Sequence, residues 1–309
     1  MITNLNNKFD LTVKRPQVLL FGNGLVYYKS WDEVIEDLKD DNINDSLKKK
    51  NIPYPIQSSI LFSSEDNKRW NKYDEYFNKR KNKRHYEYHT HPAVEKIADL
   101  DFDAYLTTNY TYELERVFNT DYLKLSKKRE YAQSTKNKKD TRRIKYTYNS
   151  FKYNNKEKKI WHIHGEARNK SSLIFTHNDY CRLVGDLTNI NNEIGNKYEI
   201  YKNKFEIKSW AEYFIAADIY ILGFGLDYSE IDIWWLLNRR VREKSGYGQI
   251  YFFEPYYEDK ADKYAVLENF EIKHRNLGFF GNSDTFKSYN EFYEKAIEEI
   301  KKIIKGVSQ

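Results

Sequence analysis

The chain has 309 residues, with 52 Lys and Arg against 46 Asp and Glu and a formal net charge of +6. A single cysteine, Cys181, excludes a disulfide framework and a cysteine-built zinc module, and no apolar run is long enough for a transmembrane helix. An aromatic share of 17% excludes a chain disordered throughout, because disordered chains are poor in the rings that carry large buried area.

The N-terminal stretch MITNLNNKFDLTVKRP lacks an apolar signal core, so a cytoplasmic protein is expected. The first strand is predicted at Gln17–Phe21, ending in Gly22-Asn23-Gly24. A helix follows Ser30, which has capping-box spacing to Glu33 and an apolar face of Trp31, Val34, Ile35 and Leu38. Residues 40–92 read as a helical insertion, polar, with a helix near Trp70, Tyr73, Tyr76 and Phe77. Pro92–Leu100 reads as a helix and Asp103–Leu106 as a second strand, ending at Thr107-Thr108-Asn109-Tyr110. A short helix is expected over Thr111–Val117. Ten basic residues between Lys124 and Lys145 mark a surface loop, leading into a strand pair at Arg143–Tyr148 and Lys158–Ile163. That pair ends at His164-Gly165, and a further strand is predicted at Ser172–Phe175.

A helix over Lys197–Ile215 precedes a buried strand at Ile219–Leu222, which ends in Gly223-Phe224-Gly225-Leu226. Ser229 opens a helix through Arg242, Ile250–Phe253 is the next strand, ending at Glu254-Pro255, and Tyr289–Ile304 is an amphipathic C-terminal helix. Strands alternating with helices predict one α/β domain over residues 1–309, a Rossmann-like, doubly wound, mostly parallel sheet with a helical insertion and no zinc module. Ligands of such sheets sit beyond the carboxyl ends of the strands. Five strand ends there carry polar or glycine residues: Gly22–Gly24, Asn109, His164-Gly165, Gly223–Leu226 and Glu254.

Several of these residues have competing readings. Gly22-x-Gly24 suits close approach of backbone to a pyrophosphate, or is an ordinary turn, since the third fingerprint glycine is missing. His162 and His164 alternate on a strand and so are expected on one side. They suit a general base, a histidine satisfied by a carbonyl, or a metal site with His85, His89 or His91. Asn109 could orient a water or ribose hydroxyl, or cap the helix after it. Glu254 is a ribose ligand or a solvated strand end. Trp234-Trp235 reads as packing or an oligomer contact. The basic stretch reads as a solvated loop, with nucleic-acid contact as the alternative.

Four motifs in order resemble the SIR2-like superfamily, in particular its bacterial defence branch of SIR2-like and AbiH-type proteins. They are FGNGL at Phe21–Leu25, LTTNYTYELE at Leu106–Glu115, WHIHGE at Trp161–Glu166 with LIFTHNDY at Leu173–Tyr180, and ILGFGLDYSEIDIWWLL at Ile221–Leu237. The resemblance implies an NAD⁺-binding domain with Asn109 and His164 as the catalytic pair. It implies Gly22, Asn23 and Gly24 as the nucleotide loop, with Thr108, Thr111 and Gly165 in the same site and Gly223, Phe224, Gly225, Leu226 and Glu254 flanking the adenosine. It also implies NAD⁺ as substrate with no metal, and an NAD⁺ glycohydrolase that depletes NAD⁺ as an antiphage, abortive-infection effector. Implied partners are further copies of the chain, an ATPase or another defence component, with nucleic acid involved only indirectly and no membrane. Three departures stand out: one cysteine cannot build the zinc module of deacetylases, Val26 replaces a common Ser, and Thr111 replaces a common Asp. The last two motivate the alternative of an NAD or ADP-ribose sensor without turnover.

Overall fold

Strand β1 (Gln17–Phe21) is buried along its whole length. Val18 and Leu20 enter one hydrophobic core while Leu19 and Phe21 enter another, as alternation along a strand requires. A strand covered on both faces has no polar side, so QVLLF reads as a continuous apolar run. The computed structural model describes residues 15–25, 34–36, 52–62, 92–120, 148–167, 169, 172–188, 190, 207–243, 248–277 and 286–306.

The other strands are β2 (Ala104–Thr107), β3 (Asn149–Tyr153), β4 (Lys156–His162), β5 (Asp218–Leu222), β6 (Ile250–Phe253) and β7 (Ile272–Arg275). They form one seven-stranded sheet in the order β3-β4-β2-β1-β5-β6-β7. Only the β3–β4 pair is antiparallel. Without β3, the six parallel strands follow the 3-2-1-4-5-6 order of dinucleotide-binding sheets, whose order reverses beside the first strand.

The helices are α1 (Tyr54–Leu61), α2 (Pro92–Ala98), α3 (Glu113–Phe118), α4 (His177–Leu187), α5 (Trp210–Ala216), α6 (Ile231–Glu243), α7 (Ala261–Asn269) and α8 (Phe286–Ile304). Apolar residues of α4, α5, α6 and α7 pack with Val18 and Ile221 on one face of the sheet. Those of α2, α3 and α8 pack with Leu19 and Leu222 on the other. Helices on both faces make the sheet doubly wound, as expected.

Register sets the site. Phe21 pairs with Thr107 and Leu222, Thr107 pairs with His162, and Leu222 pairs with Phe253. These strand-final residues form one row, so the segments after them emerge along the same edge.

Several elements differ from expectation. β4 pairs with β3, where Asn154 and Asn155 take positive φ (49° and 62°) and close a two-residue hairpin; of the predicted strand at Arg143–Tyr148, all but Tyr148 lies outside the described residues. Ser172–Phe175 is not a strand. It is a buried connection held to the β4 end by Ile174 N–H donating to the His164 carbonyl at 2.9 Å. Helix α1 lies inside the helical insertion expected at 40–92, while helices α4 and α7 and strand β7 were not anticipated; β7 has one buried residue, Ile272, and so no apolar run. The predicted helix near Trp70, the basic loop, and Lys197–Glu206 lie outside the described residues. No helix among the described residues is long and apolar enough to cross a membrane.

Candidate active site

The order of the sheet reverses between β1 and β5, and there the two glycine loops touch. Gly24 N–H donates to the Gly223 carbonyl at 2.8 Å, and the Tyr293 hydroxyl donates to the Gly24 carbonyl at 2.9 Å. Gly223 has φ +63°, and a Cβ there would lie 2.7 Å from Leu25 Cγ. These glycines therefore serve loop-on-loop closure as well as any ligand. Asn23 on the β1 side and Gly225 on the β5 side are both exposed, and a Cβ on Gly225 would meet nothing within 4 Å. Phe224 and Leu226 are buried beside it.

Asn109 follows β2 and is 8% exposed. Its N–H donates to Thr107 Oγ1 at 3.1 Å, while Thr108 N–H donates to the Phe21 carbonyl at 3.4 Å. Asn109 does not cap α3; the cap position is Tyr112. Its side-chain Nδ2 is buried with no hydrogen-bond partner among the described residues. An orphaned buried amide costs about 1–3 kcal/mol, so this group fits a substrate donor role better than a structural one.

The Asn109 carbonyl lies 2.7 Å from His162 Nδ1, and His162 Nε2 lies 2.6 Å from Glu115 Oε1 on α3. Burial alone would push the imidazole down, but the Glu115 carboxylate outweighs it and lifts the pKa to about 9. His162 is thus charged at neutral pH, and both ring nitrogens donate. Thr111 sits beside Glu113, whose carboxyl is pushed up to about 7 by burial, with the Thr111 side chain acting the other way.

His164 lies just past β4. The two histidines do not share surroundings as the strand alternation suggested. The strand ends at His162, where Gly165 N–H donates to the His162 carbonyl at 3.0 Å and closes a turn. His164 then turns to α6: its Nε2 is 3.0 Å from Asp232 Oδ2 and 3.7 Å from Glu230 Oε2. The Tyr180 hydroxyl donates to Glu230 Oε2 at 2.9 Å, and the Tyr180 ring meets the imidazole edge-on at 5.2 Å. Burial lowers the His164 pKa and the two carboxylates raise it, with a net rise. Burial lifts the Glu230 carboxyl to about 7. Gly165, at φ +92°, leaves room for the Ser172 carbonyl, which a Cβ would meet at 2.2 Å. One ligand atom from each of His164, Glu230 and Asp232 lies within 4.8 Å of the others, a spacing a cation could use. The direct His164–Asp232 hydrogen bond satisfies Nε2 and Oδ2 without one. The alternative metal set of His85, His89 and His91 lies outside the described residues, as does Val26.

Glu254, after β6, is neither solvated nor free. Its Oε1 accepts from Lys260 Nζ at 2.9 Å and its Oε2 from the Tyr264 hydroxyl at 3.1 Å. Lys263, whose pKa burial lowers, donates to the Gly225 carbonyl. A ribose at Glu254 would have to share this network. Trp234 stacks on exposed Tyr228 and packs edge-on against Phe270, the packing role expected of it.

The parallel strands thus bring Gly22–Gly24, Thr108-Asn109, His164-Gly165, Gly223–Leu226 and Glu254 to one edge. A family model for the SIR2-like domain matches residues 103–274, more than half of the chain. The chain belongs to the SIR2-like family. Comparison with curated proteins finds no match. SIR2-like domains bind NAD⁺ and are in general NAD-dependent enzymes. The matched span holds Asn109, His164, Gly223 and Glu254, and Gly22–Gly24 precede it. Of this SIR2-like site, sequence reading missed Glu115, Tyr180, Glu230 and Asp232. The available signal was a carboxylate on the buried side of an amphipathic helix: Asp232 lies one turn before Leu236, and both are fully buried.

Proposed function

We propose that the protein is an NAD⁺ glycohydrolase. The observation that carries this reading is the pair at the strand edge of a SIR2-like domain: Asn109, whose buried Nδ2 has no partner among the described residues, and His164 with Nε2 bound to a carboxylate. The C1′–nicotinamide bond breaks through an oxocarbenium-like state, and the electron pair goes to the pyridinium nitrogen. No general acid is needed, because nicotinamide leaves neutral. Water adds to C1′, its proton passes to His164 and then to solvent, and ADP-ribose is released. Asn109 Nδ2 donates to the ribose or to the attacking water. The absence of cysteine zinc ligands argues against deacetylation.

The resemblance to the defence branch supports a biological reading: an antiphage effector that depletes NAD⁺ and arrests the infected cell, held inactive through self-assembly or a partner chain such as an ATPase. Thr111 favours a second reading, an NAD or ADP-ribose sensor without turnover. Calorimetry and nicotinamide release, run on the same protein, separate the two. Binding with release supports the hydrolase, and binding without release supports the sensor.

A further inference from the structure

Four buried side chains from three segments meet at the proposed base: His164 itself after β4, Tyr180 on α4, Glu230 just before α6 and Asp232 in its first turn. Asp232 is 0% exposed. The first turn of α6 eases its burial through the helix dipole. Stability alone still does not account for it, because a buried ion pair is commonly no better than an apolar pair of the same volume. One of its oxygens, Oδ1, has no hydrogen-bond partner among the described residues. Its other oxygen is bound to His164 Nε2, whereas His164 Nδ1 makes no hydrogen bond among the described residues. In a neutral imidazole one nitrogen is a donor and the other an acceptor. A carboxylate at Nε2 therefore places the proton on Nε2 and the lone pair on Nδ1.

We propose that Asp232 is a positioning residue for the hydrolysis: it holds His164 in the Nε2–H tautomer, so that Nδ1 is the atom that accepts the proton of the attacking water. As that proton arrives, the imidazolium is balanced by Asp232. Glu230, anchored by Tyr180, stands 3.7 Å away as a second carboxyl. Asp227, which acts on Glu230, and Tyr110, which acts on Tyr180, complete the titratable surroundings. The inference rests on the NAD⁺-hydrolase reading for its chemistry and on geometry alone for the tautomer.

The test uses the full chain with Asp232→Asn, Asp232→Glu and Glu230→Gln, and two readouts. The first is nicotinamide release across pH. Asp232→Asn is expected to lower kcat by about 10²- to 10⁴-fold, as loss of a base-orienting carboxylate does, with KM for NAD⁺ changed less than about threefold. Without the carboxylate the His164 pKa falls, so the acid limb of the profile moves to lower pH. Asp232→Glu restores part of kcat, and Glu230→Gln moves the limb the same way with a smaller loss. The second readout is ¹⁵N-edited NMR of the histidine rings, assigned by difference from His164→Ala. Wild type is expected as Nε2–H, and Asp232→Asn as a mixture or Nδ1–H. An unchanged tautomer in a folded Asp232→Asn protein overturns the proposal, as does an unshifted acid limb in both Asp232→Asn and Glu230→Gln. Loss of wild-type activity in EDTA, restored by a divalent cation, would assign the cluster to a metal and also overturn it. Wild type that releases no nicotinamide defeats the hydrolase reading instead, and the NMR result still decides the tautomer.

Discussion

Glu115→Gln removes one charge from the buried pair beneath Asn109 and keeps its shape. The pair is short, 2.6 Å from His162 Nε2 to Glu115 Oε1, and both side chains are almost wholly buried. The carboxylate lifts His162 from its ordinary 6.5 to about 9 against the opposing effect of burial. A group whose folded pKa is raised stabilises the fold fully below its unfolded pKa and loses that contribution as pH climbs through the folded value. Integrated over this shift, the contribution is about 3 kcal/mol at pH 6, about 2 at pH 7.5 and close to zero by pH 10. That agrees in size with the loss of about 3–5 kcal/mol seen when one partner of a buried pair is removed. Urea unfolding of wild type and variant at these pH values measures it. The quantity to follow is their difference, since titrations elsewhere in the molecule cancel. Glutamine can still accept from Asn149 Nδ2, as Glu115 does at 3.2 Å, so the effect isolates the charge. A gap that shrinks from about 3 kcal/mol toward zero with rising pH is expected. A gap that is constant across the range would refute the charged-histidine account.

Asn109→Ala is expected to abolish nicotinamide release without loss of stability, because Nδ2 has no partner among the described residues; a nicotinamide-release assay and thermal melts check the two halves. Gly165→Ala combines a positive φ with a Cβ only 2.2 Å from the Ser172 carbonyl, and should lower stability by about 3 kcal/mol or more in urea unfolding. Arg240→Met should cost about 3 kcal/mol in the same assay. Its guanidinium donates to the carbonyls of Ile215 and Ala217 at 3.1 and 3.3 Å and to that of Gly248, tying the end of α5 to the loop before β6.

The central strands were legible because they are buried on both faces: QVLLF, IYIL and IYFF are apolar runs that local composition alone exposes. Edge elements were not. β7 presents Lys273 and His274 among its four residues, and β3 alternates half-buried with exposed side chains. The strand-end placement of Asn109 and His164 was readable because a polar residue directly after an apolar strand falls at the carboxyl edge of a parallel sheet. Their partners were not, since pairing across the fold leaves no local trace. Glu115 is 47 positions from His162, and Asp232 is 68 from His164. The two histidines differ for the same reason. Strand alternation placed them together, but the turn after His162 separates one into an ion pair with α3 and the other into a hydrogen bond with α6. Gly22–Gly24 were read as ligand-facing or as a turn, and the contact with Gly223 supplies a structural cause that sequence could not reveal.

The activity proposed for this SIR2-like strand edge is hydrolysis of NAD⁺ by Asn109 and His164. The most direct measurement is the rate of nicotinamide and ADP-ribose formation by purified protein at saturating NAD⁺, with wild type, Asn109→Ala and His164→Ala side by side. Wild type is expected to form both products stoichiometrically, and neither folded variant to form any above background. Equal rates in all three, or no product from wild type in its active assembly, would contradict it.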